Sequence, residues 1–285
     1  MTPKGKSKLV WLIILAILAG IWALLPSVEA FPGDKPANHI NINAADLLNV
    51  KTNPRQPSRI IKYTGMDVSF NPKLHIPNWV AWELTADETD GEEPRATKFL
   101  NDENVPGCAD TYDYMYSGYD RGHMAPAGDM KWDKKAMQET FYLTNICPQE
   151  HALNNGAWKN LEVKCRTWAM RDSAIYIVCG PVLTDTLREF IGDNRVAVPK
   201  RFFKVMISPY AEKPQGIGFI MSNGKVPGGI QTCAMTIDEV EQITGHDFFS
   251  ELPDELENAL ESQNNFPAWS RYTAKRKLPQ KKHDD

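Results

Sequence analysis

The run AIYIVCGPV, Ala174–Val182, restricts the fold of this chain more than any other segment. It is apolar and rich in β-branched residues, and it ends in glycine and proline, so it predicts a buried strand. The runs FFKVMIS and IGFIMS follow it and have the same character. Buried strands need covering layers, so these runs indicate a central sheet.

Other segments predict the remaining strands and the helices. RIIKYTG, MDVSFN, WVAWELT and TFYLTNI have the composition of strands. EHALNNGAWKNLEVKCRTWAMR predicts a helix because its apolar residues recur at helical spacing. TIDEVEQITG predicts a second helix, with a capping box at Thr236 and Glu239, and PDELENALES a third. We therefore predict an α+β fold with a mixed, mainly antiparallel central sheet flanked by helices.

Residues 1–30 have the pattern of an export signal. Three lysines precede the uncharged run Leu9–Leu25, and the small residues Val28 and Ala30 stand before a cleavage site. We predict cleavage after Ala30 and an exported protein, periplasmic or secreted, without stable membrane association. The alternative is an uncleaved membrane anchor, because the apolar run is just long enough to span a bilayer.

The rest of the chain divides into three parts. Residues 31–58 are rich in Pro and Asn and predict a linker or loosely packed arm. Residues 59–265 predict the folded domain, and residues 266–285 a basic tail. The five cysteines contain no CxxC pair, and their odd number leaves at least one thiol free.

The formal net charge of −4 is not that of an obvious polyanion-binding protein. Any contact with a polyanion must therefore rest on local positive charge. The basic clusters Lys131–Lys135 and Pro199–Lys204 could flank a groove, whereas Lys275–Lys282 belongs to the tail.

The stretch SGYDRGHMAPAGDMKWD, residues 117–133, gathers groups that suit phosphodiester hydrolysis. His123 can take a proton from water near neutral pH. Arg121 offers a planar set of donors that fits phosphate oxygens. Gly122 can adopt backbone conformations that residues with a side chain rarely adopt. Alone, however, the tetrapeptide DRGH is more often a charged surface turn.

A second stretch, TNICPQEHALNNGAWKNLE, supplies groups that suit a metal ion. Asn154 and Glu162 are eight residues apart, which places them on the same broad side of a helix. An amide oxygen and a carboxylate suit a hard cation such as Mg²⁺. The alternatives are a helix cap for Asn154 and a solvated ion-pair partner for Glu162.

Together the motifs DRGHMAP and TNICPQEHALNNGAWKNLE resemble those of the DNA/RNA non-specific endonuclease family, whose active site is of the ββα-metal, or His-Me finger, type. The segments SFNPKLHIPNWVAWELT and TIDEVEQITGHDFF extend the similarity over about residues 59–265. The resemblance implies that these residues form a non-specific endonuclease domain with a ββα-metal motif.

The resemblance also implies roles for the central residues of both motifs. His123 would be the general base that deprotonates the attacking water. Asn154 would be the one direct protein ligand of a Mg²⁺, or Mn²⁺, whose other ligands are water. Glu162 would hold some of those waters.

Four further residues would support this centre. Arg121 would assist the site or the scissile phosphate, and Asp120 would orient its loop. Arg95 is the best candidate for the upstream arginine that stabilises the transition state in this family. Asn145 matches a supporting position near the catalytic histidine.

The predicted activity is metal-dependent hydrolysis of DNA and RNA to products with 5′-phosphates. Little sequence preference is expected, because the chain has no base-reading element such as a zinc finger. The alternative is a catalytically silent nucleic-acid-binding domain of the same fold, which the presence of His123, Asn154 and Glu162 disfavours. A serine hydrolase is disfavoured because there is no G-x-S-x-G motif.

Overall fold

A computed structural model describes residues 46–187 and 189–270. The predicted signal segment 1–30 and most of the predicted basic tail lie outside the described residues. Among the helices that are described, none is long and apolar enough to cross a membrane.

A seven-stranded sheet forms the centre of the fold, with the strand order β12-β11-β10-β7-β4-β3-β2. Every neighbouring pair in it is antiparallel. Its strands are β2 Arg59–Lys62, β3 Asp67–Asn71, β4 Ile76–Thr85, β7 Ala174–Pro181, β10 Arg201–Ser208, β11 Gln215–Ser222 and β12 Ala234–Met235. The predicted α+β class with a mainly antiparallel sheet is confirmed, and the three apolar runs are the adjacent strands β7, β10 and β11.

Short two-stranded pairs and helices surround this sheet. The pairs are β1 Val50–Lys51 with β13 Asp247–Phe248, β5 Asp120–His123 with β6 Ile146–Gln149, and β8 Phe190–Ile191 with β9 Val196–Ala197. The helices are α1 Lys134–Glu139, α2 Lys159–Asp172, α3 Ile237–Thr244, α4 Asp254–Glu261 and α5 Phe266–Ser270.

The side chains of β10 alternate between two apolar cores, as the pleat of a strand requires. Phe202 and Met206 face the core that contains helix α2. Phe203 and Val205 face the second core, which is covered by helices α3 and α4. The central sheet therefore lies between two layers, and only one of them carries the β5, β6 and α2 elements.

The strand predicted over Thr140–Ile146 is wrong for most of its length. Helix α1 ends at Glu139, a short 3₁₀ turn covers Leu143–Asn145, and β6 starts only at Ile146. The Asn145 side chain donates to the carbonyl of Thr140, which stabilises a turn instead of an extended chain. A local apolar pattern cannot show such a side-chain bond.

The helix predicted after Pro148 is present but bent. A π-helical turn, Leu153–Trp158, precedes helix α2, and Gly156 has non-helical dihedrals inside it. Single π turns of this kind occur often at functional sites. The bend changes the angle between Asn154 and Glu162 from that of an ideal helix.

Part of the predicted arm packs on the domain. Leu47 is fully buried, and strand β1 pairs with β13. All five cysteines are free thiols, and three of them are buried. The domain boundary at residue 58 stays a prediction.

The capping box of helix α3 has the predicted form, and its removal should weaken the fold. The Thr236 hydroxyl accepts from the Glu239 backbone N–H at 3.0 Å, and the Glu239 carboxylate accepts from the Thr236 N–H at 2.8 Å. We expect Thr236→Ala to lower the free energy of unfolding by about 1 kcal/mol in urea titrations. Thr236→Ser keeps the hydroxyl and should stay near wild type. Equal losses in both variants would contradict the assignment.

Candidate active site

The DRGH tetrapeptide is strand β5 and not a surface turn. It pairs antiparallel with β6, with His123 opposite Ile146 and Asp120 opposite Gln149. A Cβ atom at position 122 would lie 2.2 Å from the Gln149 side-chain oxygen, so any larger residue there would displace the buried Gln149 side chain. The two strands followed by helix α2 form the ββα arrangement that the sequence motifs predicted.

His123 is held in an apolar box. Its side chain is only 8% exposed, and its ring lies 5.3 Å from that of Phe99 and 4.8 Å from that of Phe141, measured between centroids. Burial, helped by the positive charge of Arg95, lowers the pKa of His123 to about 3. The imidazole is therefore neutral near pH 7, and its Nε2 atom has no hydrogen-bond partner among the described residues.

Asn154 is oriented by the first residue of β5. Its amide Nδ2 donates to the Asp120 carboxylate at 2.9 Å. The same carboxylate oxygen lies 2.9 Å from Nδ1 of His151. Because the nitrogen of the Asn154 amide is engaged, its oxygen remains as an acceptor without a hydrogen bond in the described part of the chain.

Glu162 is a partly buried carboxyl group on the first turn of α2. Burial raises its pKa to about 7. Lys204 has the largest opposing effect, and the charges of Arg166 and Arg95 also lower the pKa, whereas Asp129 raises it. The proton equilibrium of Glu162 thus depends on charges from several elements.

A buried tryptophan joins the strand to the helix. The Trp158 indole Nε1 donates to the backbone carbonyl of His123 at 3.1 Å, and the side chain is 1% exposed. In addition, the Arg95 charge acts on both His123 and Glu162. Both groups therefore lie within the range of the Arg95 charge.

The remaining predicted residues differ in what they contact. Arg95 is exposed, with its guanidinium 5.1 Å from the Phe141 ring centroid. Arg121 donates to the Thr111 carbonyl at 2.9 Å and lies over the ring of Phe99. The guanidinium of Arg121 thus ties the preceding loop to β5, and that of Arg95 is the freer of the two.

Asn145 is fully buried and braces the chain on both sides of His123. Its amide oxygen accepts from the Ala125 N–H, and its amide nitrogen donates to the carbonyls of Ala125 and Thr140, each at 2.9 Å. Its side chain therefore has no free group for a substrate.

Sequence reasoning missed several residues around the site. His151 shares the Asp120 carboxylate with Asn154, and its i, i+3 spacing from Asn154 was the available signal. Asp129 accepts from Arg166 at 2.7 Å and from the Trp82 indole at 3.1 Å. Lys204 was placed in a cluster that might flank a groove, yet it is fully buried behind α2, so that interpretation is wrong for this lysine.

The donor set fits a hard divalent cation. The Asn154 amide oxygen is free of hydrogen bonds among the described residues. The Glu162 carboxylate receives no hydrogen bond from them either, because only burial and charges act on it. A set of oxygen ligands that includes no sulfur and no imidazole is typical of Mg²⁺ or Mn²⁺ sites.

Comparison with known proteins gives relatives that are nucleases. The chain is 34% identical over 209 residues to mouse "Nuclease EXOG, mitochondrial", which covers 67% of this chain and 57% of the relative. It is 32% identical over 191 residues to human "Endonuclease G, mitochondrial", with 62% and 64% covered. "Nuclease C1" of Cunninghamella echinulata var. echinulata is 33% identical over 204 residues, with 65% and 80% covered.

A solved structure has a similar fold. It is a crystal structure of an EndoG/EndoGI complex that describes the mechanism of EndoG inhibition. It matches with a TM-score of 0.65 and 29% sequence identity, covering 70% of this chain and 89% of that one.

The predicted export is wrong. The EXOG and Endonuclease G relatives are mitochondrial proteins, which points to a non-secreted location. The chain spans less than two thirds of the length of the EXOG and Endonuclease G relatives given above.

The family comparison agrees with the geometry of the site. Residues 43–255 match the model of the DNA/RNA non-specific endonucleases. This range contains the whole of the β5, β6 and α2 arrangement. The chain belongs to the DNA/RNA non-specific endonuclease family.

Proposed function

We propose that this protein is a metal-dependent, sugar-non-specific endonuclease that hydrolyses DNA and RNA to products with 5′-phosphates. The observation that carries the proposal is the Trp158–His123 hydrogen bond, which fixes the strand of the base to the helix that follows Asn154. The nuclease activity named for the EXOG, Endonuclease G and C1 relatives supports it.

His123 acts as the general base in this proposal. Its imidazole is neutral because its pKa is about 3, so the Nε2 lone pair can accept the proton of a water molecule. A bound phosphate brings negative charge next to the ring, and a nearby opposite charge raises the pKa of a histidine. The substrate itself would therefore strengthen the base at the point of attack.

Asn154 provides the amide oxygen of the centre, and Glu162 provides its carboxylate oxygens. Asn154 would hold the cation and Glu162 some of its waters, and the bound cation would supply positive charge to the leaving 3′-oxygen. Asp120 keeps the Asn154 oxygen directed away from itself by accepting from the amide nitrogen. Mg²⁺ is the proposed ion, and Mn²⁺ the alternative.

The two arginines have different roles in the proposal. Arg95 is exposed and its charge acts on both His123 and Glu162, so it can contact the phosphate in the transition state. Arg121 holds the loop before β5 through Thr111. Asn145 is a positioning residue, because all of its amide groups are bonded to backbone next to His123.

Removal of the base should abolish activity without loss of the fold. His123→Ala is expected to lower kcat by about 10²- to 10⁴-fold on plasmid DNA with Mg²⁺, the typical contribution of a general base. His75→Asn is the control, since it removes an imidazole elsewhere at a backbone φ of 61° that asparagine tolerates. Wild-type digestion by His123→Ala would contradict the assignment of the base.

The choice of metal and of substrate is tested together. Digestion of double-stranded DNA, single-stranded DNA and RNA should require added Mg²⁺ or Mn²⁺ and stop in EDTA. Asn154→Ala should raise the metal concentration needed for half-maximal rate. A mobility shift of nucleic acid with no cleavage under any metal would indicate a silent binding domain instead.

The pH profile should report Glu162 rather than His123. Glu162 is ionised only above its pKa of about 7, whereas His123 stays neutral down to about pH 3. We therefore expect kcat/KM to fall as pH decreases below about 7. Glu162→Gln should be slow and should lack this acidic limb. An unchanged limb in that variant would assign it to another group.

Binding through phosphates predicts a steep dependence on salt. The logarithm of kcat/KM for plasmid DNA should fall linearly with the logarithm of NaCl concentration, with a slope steeper than about −1. Hydrolysis of a small phosphodiester such as bis(p-nitrophenyl) phosphate is the control and should change little. Equal dependence for both substrates would contradict binding along the nucleic-acid backbone.

A further inference from the structure

Three carboxylates meet where helices α3 and α4 cover the second core. They belong to Asp238 and Glu241 of α3, which are three positions apart on one face of that helix, and to Glu261, the last residue of α4. One oxygen from each lies within 4.8 Å of the oxygens from the other two. Helix α2 packs in the other core, so this cluster is separate from the candidate active site.

Two glycines of strand β11 allow the two helices to lie close to the sheet. A Cβ atom at position 216 would lie 2.3 Å from the carbonyl oxygen of Leu260, and one at position 218 would lie 2.8 Å from that of Thr236. Both oxygens belong to the backbone, so a larger residue at either position would push a helix end away. The packing of the backbone therefore holds the carboxylates together.

Glu261 is the member of the cluster that most needs a partner. Its side chain is 6% exposed, and its Oε1 atom has no hydrogen-bond partner among the described residues. A buried acceptor that nothing binds is costly. The carboxyl end of a helix also disfavours negative charge. Burial, and after it the charge of Glu241, raises the pKa of Glu261 to about 9.

Basic side chains do not supply that partner in the described part of the chain. None of the ion pairs found there includes Asp238, Glu241 or Glu261. Lys51 is bound to another acid, Asp247, at 2.9 Å, and its side chain is exposed. The charge of Asp247 itself adds to the repulsion on Glu261. The cluster therefore carries excess negative charge.

The ligand atoms and their spacing fit Ca²⁺. Zinc sites in proteins usually contain sulfur or imidazole ligands, and this cluster has neither. Ca²⁺ binds oxygen atoms at about 2.3–2.6 Å, so two of its ligands are at most about 5 Å apart, in agreement with the spacing here. Mg²⁺ usually binds only one or two carboxylates. Asp238 and Glu241 are partly exposed, so water can complete the coordination.

We propose that Asp238, Glu241 and Glu261 bind a Ca²⁺ ion that joins helix α3 to helix α4. The ion offsets the repulsion among the three carboxylates and gives the buried Glu261 oxygen a ligand bond. The Glu241 carboxylate is already positioned, because its Oε1 accepts from the backbone N–H of Phe248 at 2.7 Å. This site is independent of the proposed nuclease function.

Calorimetric titration of the full chain with CaCl₂ tests the site directly. The background is Asn154→Ala, which removes the proposed metal ligand of the nuclease centre. We expect one Ca²⁺ per chain, bound at least about tenfold more weakly after Glu261→Gln, because a charged ligand is lost. Glu255→Gln removes an exposed carboxylate of the same helix and should keep the affinity. The absence of binding in Asn154→Ala, or equal affinities in the two glutamine variants, would overturn the proposal.

Thermal unfolding gives a second readout. In the Asn154→Ala background, CaCl₂ at about 100 times its dissociation constant should raise the Tm by at least about 5 °C. Glu261→Gln should lose most of this rise, and Glu255→Gln should keep it. MgCl₂ at the same concentration should raise the Tm less, and an equal rise would overturn Ca²⁺ as the ion.

The rival explanation is a proton shared between Glu241 and Glu261. It predicts that Glu261→Gln melts below its parent in EDTA and that CaCl₂ does not change the Tm of the parent; this pair of results would overturn the proposal. If Glu261→Gln does not fold, the partly exposed Asp238 provides the second variant. Asp238→Asn should also bind Ca²⁺ at least about tenfold more weakly, and an unchanged affinity would contradict the site.

Failure of this inference differs from failure of the proposed function. If Asn154→Ala binds no Ca²⁺ while the wild type cleaves DNA and His123→Ala does not, the nuclease assignment stands and the calcium site fails. If His123→Ala cleaves normally while Glu261→Gln loses Ca²⁺ binding, the calcium site stands and the catalytic assignment fails.

Discussion

The hydrogen bond from the Trp158 indole to the His123 carbonyl is the contact on which the site depends. It joins strand β5 to the segment that leads into α2, and it lies in the core, where only 1% of the indole is exposed. Because a buried donor that loses its acceptor is costly, this bond fixes the two elements together. The π-helical turn around Gly156 then bends the chain between Asn154 and Glu162.

Burial explains why the pKa of His123 is lowered and the pKa of Glu162 is raised. The apolar rings of Phe99 and Phe141 disfavour the charged imidazolium form of His123. Burial likewise disfavours the charged carboxylate form of Glu162. Both groups are therefore biased toward neutrality. For His123 this bias keeps the imidazole unprotonated and its ring nitrogen available as an acceptor, whereas burial raises the pKa of Glu162 to about 7 against the opposing charge of Lys204.

Much of the fold could be read from the sequence. The apolar runs of β7, β10 and β11 show their burial in composition alone, and the capping box at Thr236 marks a helix start that the structure confirms. The turn before β6 could not be read in this way, because Asn145 bonds to Ala125, twenty residues away. Long-range side-chain bonds of this kind leave no local pattern.

In the site too, some residues could be predicted from local motifs and others could not. DRGH and Asn154 stand in motifs that chemistry makes recognisable, whereas Lys204 looked like one member of a basic surface cluster. Arg201 and Lys204 lie three positions apart on β10, so their side chains face opposite sides of the sheet. Arg201 bonds to Asp185 near the surface, and Lys204 points into the core between two tryptophans. Net charge therefore does not show where a cation lies: salt screens the charge of Arg201 near the surface, whereas it screens the enclosed Lys204 ammonium much less.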